Sequence, residues 1–160
     1  MFRLFSRSAP SNDLVCSKLL NQDTFYPTFS KDLNKCRHEV IIESPFITSK
    51  RLNQLLPILK KLKALGVRIV INTRDPQEHN DEYLRLEAMH GIASLQRTGI
   101  QVLFTDGHHR KLAILDRTIL WEGSLNILSQ NSSAEVMRRI ESTALAWEMV
   151  RFVQLDRFVN

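Results

Sequence analysis

The sequence predicts an α/β fold: a mixed, mostly parallel sheet with helices on both faces. Three observations lead there. A chain of 160 residues suits a single core, and 43% hydrophobic with 24% charged residues is an ordinary globular balance. Its middle alternates short β-branched runs with amphipathic segments of helix length, the order expected of a sheet with crossover helices. Beyond residue 105 the helical period gives way to short apolar runs that read as further strands. The longest such runs, 112–115 among them, fall far short of the roughly 18 residues a membrane-spanning helix needs.

Residues 1–35 hold no sustained period, contain Pro10 and Pro27, and read as an N-terminal arm with one short helix around 13–20. A single domain over 36–160 follows. Residues 40–43 are a β-branched run stopped by Ser44 and Pro45. Thr48 or Ser49 then caps a helix in which Leu52, Leu55, Leu56, Leu59, Leu62 and Leu65 recur at helical spacing until Gly66. Pro57 inside that pattern predicts a kink or a split. Its polar side carries Lys50, Arg51, Lys60, Lys61 and Lys63, a solvated face or a polyanion contact.

A second buried strand is expected at 67–72, with Arg74, Asp75 and Pro76 in the loop after it. The next helix covers about 81–97, with Tyr83, Leu84, Leu86, Met89, Ile92 and Leu95 as its inner side. Gly99 ends it before a strand at 100–104. Strands at 111–115, 118–121 and 135–140 precede a C-terminal helix with Leu145, Met149, Phe152, Val153 and Leu155 apolar. No internal repeat is present.

The net charge of +5 favours polyanionic partners, nucleic acid or acidic lipid, and equally fits a merely soluble basic protein. Cys16 and Cys36 lack CxxC spacing and form no zinc pattern with His38. They read as two free thiols in a reducing cytosol, or as one bridge in an exported chain. Arg3 and Arg7 ahead of the first acid, Asp13, faintly resemble a transit leader, but no apolar segment of secretory length follows. A cytoplasmic location is expected.

The chemistry concentrates in one stretch: His109, Lys111 and Asp116, then six residues, then Gly123, Ser124 and Asn126. On a strand, residues two apart share a side. His109 and Lys111 therefore face together, as do Ser124 and Asn126, while Asp116 has the other parity on an unbulged strand. An imidazole, an ammonium, a hydroxyl and an amide on one sheet rim suit an anionic phosphoryl group. The ammonium and amide can stabilise charge growing on its non-bridging oxygens. A neutral imidazole can attack phosphorus near pH 7, and Gly123 would let backbone approach the phosphate.

HxKxxxxD followed by GSxN resembles the signature of the phospholipase D superfamily, and every specified position is matched. Starting the motif at His108 would put Arg110 where the lysine belongs, so His109 is the motif histidine. Glu-Ser-Pro-Phe at 43–46 is similar to the family's early strand-end segment. The resemblance implies a phospholipase D-like sandwich and a phosphodiesterase that needs neither metal nor cofactor. One histidine would form a phosphohistidine, a second would protonate the leaving oxygen, and water would release the product.

That chemistry needs two histidines, yet the motif occurs once, and none of His38, His79 and His90 is followed by the required lysine. The resemblance therefore implies a symmetric homodimer whose two motifs meet, as in small single-motif Nuc-type endonucleases. It also implies an acid on the strand after GSxN that orients the histidine: Glu135, with Glu141 as its rival. Asp116 is read as structural, holding the turn after it. Arg74 and Arg110 are candidates for substrate binding, as are Arg138 and Arg139 along a nucleic-acid backbone. Trp121 and Trp147 are assigned to the core or a dimer interface.

Three functions stay open. A sequence-tolerant nuclease, with DNA ahead of RNA as substrate, suits the basic charge and the small size. A phospholipid hydrolase of cardiolipin type shares the signature, although no amphipathic anchor points to stable membrane association. A non-catalytic nucleic-acid-binding module would show salt-sensitive binding without turnover.

Overall fold

A computed structural model describes residues 16–129 and 132–158. The leader-like N-terminus with Arg3 and Arg7, and the first part of the expected helix at 13–20, lie outside these residues. The strands are β1 (Ser17–Asn21), β2 (Glu39–Glu43), β3 (Arg68–Thr73), β4 (Gln101–Phe104), β5 (Leu112–Leu115), β6 (Ile119–Gly123) and β7 (Val136–Glu141). They form one sheet in the order β1-β7-β6-β5-β2-β3-β4. The helices are α1 (Gln22–Lys35), α2 (Ser49–Ala64), α3 (Glu82–Arg97) and α4 (Thr143–Val153).

The sheet is mixed, but its parallel part is smaller than expected. Only β2–β3 and β3–β4 pair in parallel, and the other four pairings are antiparallel. Crossover helices account for this. α2 and α3 return the chain so that β2, β3 and β4 run the same way, whereas a tight turn after β5 can only make a hairpin. β2 thus sits between a parallel neighbour and an antiparallel one, β5. In open α/β sheets, ligands gather outside the strand ends at such a junction.

Helices α1, α2 and α3 cover one face. There Phe25, Phe29, Leu33, Leu55 and Leu59 pack on Val40, Ile42, Ile71 and Trp121. Helix α4 covers the other, with Ala146, Val150 and Val153 over Ile41, Val70, Ile114 and Leu120. Trp121 is fully buried and meets Phe25 and Phe29 edge-on, at 5.2 and 5.7 Å between ring centroids. Burying each large apolar side chain of this kind contributes roughly 1.5–3 kcal/mol. Trp147 is outside, beneath the Arg117 guanidinium at 4.4 Å.

Three expectations change. Residues 17–35, read as part of an arm, are an edge strand and a core helix that supplies Phe25, Phe29 and Leu33. Pro57 does not split α2, which runs unbroken through it. Pro57 and Asn53 are both solvent-facing, so water can take the carbonyl that proline leaves unbonded. The inner side of α3 is Ala88, Gly91, Ile92 and Leu95, while Tyr83, Leu86 and Met89 are exposed. Small residues set that contact: a Cβ on Gly91 would lie 2.5 Å from Ile47, so only a glycine lets the helix come this close.

Cys16 and Cys36 are both free thiols. Burial pushes the Cys36 thiol up to about 12. Among the described residues, no helix is long and apolar enough to cross a membrane.

Candidate active site

The ends of β2 and β3, the start of β5, the end of β6 and the start of β7 meet at one rim of the sheet. His109 stands exposed in the loop entering β5. Its Nε2 lies 3.1 Å from a terminal nitrogen of Arg74, which follows β3. Arg74 Nε is itself 3.0 Å from Glu78 Oε2, and the same carboxylate accepts the Gly107 N–H at 3.1 Å. The loop carrying His109 is thereby tied to the loop after β3.

Lys111 donates to the His109 carbonyl at 3.0 Å, and its own carbonyl accepts the Gly123 N–H at 3.3 Å. The His-Lys and Gly-Ser segments are therefore hydrogen-bonded neighbours. At the end of β6 the Ser124 hydroxyl donates to Glu135 and accepts the Val136 N–H at 3.0 Å. Glu135 also accepts from Ser133, and its backbone N–H donates to Gln22 Oε1 at 3.0 Å. Glu141, the rival acid, is paired with Arg139 at the far end of β7, 3.2 Å away.

The turn that bears Asn126 is supported from two sides. The Tyr26 hydroxyl, on α1, contacts the carbonyls of Asn126 and Ile127 at 3.1 Å each. Burial pushes this phenol up to about 12, so it stays protonated and keeps its donor. From β2, the Ser44 hydroxyl accepts the Leu128 N–H at 3.1 Å, and the Thr48 N–H reaches the Leu128 carbonyl at 2.9 Å. Ser44 and Thr48, in the loop after β2, thus clamp the backbone two residues past Asn126. Asn126 Oδ1 is buried and has no hydrogen-bond partner among the described residues.

Several residues do something other than the sequence implied. Arg110 holds the fully buried Glu43 with two bonds, at 2.5 and 2.7 Å, and also borders the cleft beside Lys111. Asn72 Nδ2 completes that carboxylate at 2.9 Å. Gly123 is required by β7, because a Cβ there would fall 2.1 Å from the Val136 carbonyl. Asp116 is at the opposite end of β5 from Lys111, and it holds the turn before β2 and not the one after itself. Its carboxylate accepts the N–H groups of Arg37, His38 and Glu39, each at 2.9 Å. Arg139 pairs with Asp32 at 2.6 Å and Arg138 donates to Ser17 at 3.1 Å, so both are bound within the fold.

With this geometry in view, the family model described as "Cardiolipin synthase, PLD-like domain" matches residues 29–155, most of the chain. The chain belongs to the phospholipase D superfamily. No curated protein matches it by sequence. Among solved structures it is similar to NucT from Helicobacter pylori, with TM-score 0.71, 17% identity, and 89% of this chain and 96% of that one covered. It is also similar to Nuc from Salmonella typhimurium, described as a phospholipase D family member, with TM-score 0.67, 16% identity, and 89% and 94% covered. A third is TrmBL2, an archaeal chromatin protein whose structure shows a novel mode of DNA binding, with TM-score 0.57, 12% identity, and 84% and 49% covered. The fold is that of the phosphodiester-acting phospholipase D superfamily.

Within this phospholipase D-like frame, the sequence reading left out Glu78 and Gln22, and it did not give Glu43, the first residue of the 43–46 segment, its partner. Glu78 anchors both Arg74 and Gly107, and its spacing of four from Arg74 was the available signal. The Glu43–Arg110 pairing and the contact of Gln22 with Glu135 had none, because the partners are far apart along the chain. Among the described residues, no group of three or more His, Cys, Asp or Glu side chains is placed to hold a metal ion.

Proposed function

We propose that this chain is a metal-independent phosphodiesterase, foremost a sequence-tolerant nuclease, working through a phosphohistidine on His109 at a site shared by two copies. The observation that carries this reading is the meeting of His109, Lys111 and the Ser124–Glu135 pair at one rim of a phospholipase D-like sheet.

His109 Nε2 forms a bond to phosphorus as the phosphorus–oxygen bond to the leaving group breaks, and the His109 of the second copy gives that oxygen a proton. Water then attacks phosphorus, loses its proton to the same second histidine, and releases His109. Lys111 and Asn126 stabilise the charge on the non-bridging oxygens. The single copy of the motif, against a chemistry that needs two histidines, supports a shared site. Asn126 borders a cleft of about 640 Å³ on the α3 side, and Lys111 borders another of about 610 Å³ on the α4 side. The four signature side chains share neither of them.

Contacts limited to phosphate would make cleavage insensitive to base sequence and steeply sensitive to salt. The similarity to NucT and Nuc favours nucleic acid, with DNA ahead of RNA. One observation favours a second reading, a phospholipid hydrolase: the cleft beside Lys111 also has Leu19, Val136, Met149 and Phe152 in its wall.

The test is cleavage of labelled single- and double-stranded DNA and RNA, and of cardiolipin vesicles, in EDTA, with His109→Asn alongside. The proposal expects wild type alone to cut nucleic acid. Cutting only of cardiolipin would move the substrate to lipid. Salt-sensitive binding without turnover would make the chain a binding module.

A further inference from the structure

The Arg74–His109 contact constrains the histidine. A guanidinium has only donors and keeps its proton at every ordinary pH. At 3.1 Å from an Arg74 nitrogen, His109 Nε2 must therefore be the acceptor, and the proton of the neutral ring belongs on Nδ1. In water the opposite tautomer is the favoured one. Arg74 does not wander into this position. Its Nε is 3.0 Å from Glu78, its guanidinium lies 6.0 Å from the Phe46 ring centroid, and its side chain is only 18% exposed.

The contact has a second consequence. The lone pair that would attack phosphorus is the one already engaged by Arg74. Attack needs the guanidinium to leave, and a phosphodiester brings the oxygens that a guanidinium fork binds best. The guanidinium is planar and moves as one unit, and its Nε, which is ion-paired with Glu78 but makes no hydrogen bond, can shift with it from the ring to an anion beside it.

We propose that Arg74 is a substrate-displaced guard on His109: it holds Nε2 as an acceptor in the resting site, then passes to a non-bridging phosphate oxygen and uncovers the attacking atom. The hand-over rests on the phosphodiesterase reading above, whereas the resting guard stands on the geometry alone. Arg74 is accordingly a positioning residue in the resting site and a substrate-binding residue after the hand-over, with Glu78 as its ion-pair partner.

The guard is tested without turnover. In protein labelled with nitrogen-15 histidine, with His109 assigned by its loss in His109→Asn, the wild type should show the Nδ1–H tautomer. Arg74→Ala should revert to Nε2–H. Carbethoxylation of His109 by diethyl pyrocarbonate, mapped by mass spectrometry, should be about tenfold faster in Arg74→Ala, the factor expected when one charge-assisted hydrogen bond is lost. Arg74→Lys, which keeps the charge and shows whether the site still folds, should fall between. Equal tautomers and equal modification rates in wild type and Arg74→Ala would overturn the guard.

The hand-over is tested on bis(p-nitrophenyl) phosphate, where Arg74→Ala should lower kcat/KM at least about tenfold. An unchanged kcat/KM would overturn it. A wild type that cleaves no phosphodiester would overturn the catalytic reading and the hand-over together, while tautomer and modification rates still decide the guard.

Discussion

Arg110, next in sequence to the candidate nucleophile, closes a two-bond ion pair on Glu43, whose carboxylate is completely buried at the end of β2. The pair fixes the backbone from which His109 and Lys111 project. Removing one partner from a buried charge is costly. Arg110 keeps 40% of its side chain exposed, which moderates the effect. We expect Arg110→Met to lower stability by roughly 3 kcal/mol in urea denaturation. The double variant Glu43→Gln/Arg110→Met should recover most of that loss. A stable single variant would show that the pair does not hold the loop.

Asp116 makes the complementary case, a signature residue remote from the chemistry. Its carboxylate holds three backbone N–H groups at the entry to β2. Asp116→Ala should cost about 1–3 kcal/mol of stability. Turnover per folded molecule should stay at the wild-type rate in an assay below the melting transition. A fall in kcat with unchanged stability would place Asp116 in the catalytic machinery.

Gly123 tests how closely β6 and β7 approach. The clash of an added Cβ is with the backbone of Val136, which cannot rotate away. Gly123→Ala should cost at least about 2 kcal/mol and should disturb the Ser124–Val136 bonds that set the hydroxyl. Thermal melting read beside activity should show both losses together. A variant as stable as wild type would mean that β7 has room to shift.

His108 predicts a pH dependence. The ring is buried and its Nε2 has no hydrogen-bond partner among the described residues. Burial holds its pKa below the usual histidine value, with Arg110, His109 and Lys111 acting in the same direction and Glu43 against them. The unfolded chain therefore takes up a proton before the folded one does. The resulting stability is complete above about pH 6.5 and is lost as the pH falls towards the folded pKa, at up to about 1.4 kcal/mol per pH unit. Melting temperature followed from pH 7.5 downward should fall more steeply for wild type than for His108→Asn. Parallel curves would contradict the assignment.

How much of this was legible in the sequence follows from how local each signal is. The strands flanking His109, Lys111, Ser124 and Asn126 were readable because alternation and motif spacing lie within about twenty residues of chain, but all four residues stand in the loops just outside β5 and β6 and not on the strands, as their spacing had implied. Edge strand β1 was not readable, since only Leu20 of its five residues is buried. Helix α1 did carry the spacing of Phe25, Phe29 and Leu33, but Pro27 among them read as a breaker. It is tolerated because it faces solvent. The turn partners of Asp116 and the Glu43–Arg110 pair join residues 67–79 positions apart, and such contacts leave no trace in local pattern. The demand that β7 makes on Gly123 was not readable either, because the strand it must clear lies beyond the next turn.

A covalent intermediate on His109 can be trapped. Enzyme mixed with excess labelled substrate, quenched in alkali where phosphohistidine survives and digested for mass spectrometry, should carry the phosphoryl adduct on the peptide containing His109. The adduct should vanish on acid treatment and be absent from His109→Asn. Turnover with no adduct under these conditions, or an adduct on another residue, would rule out His109 as the nucleophile.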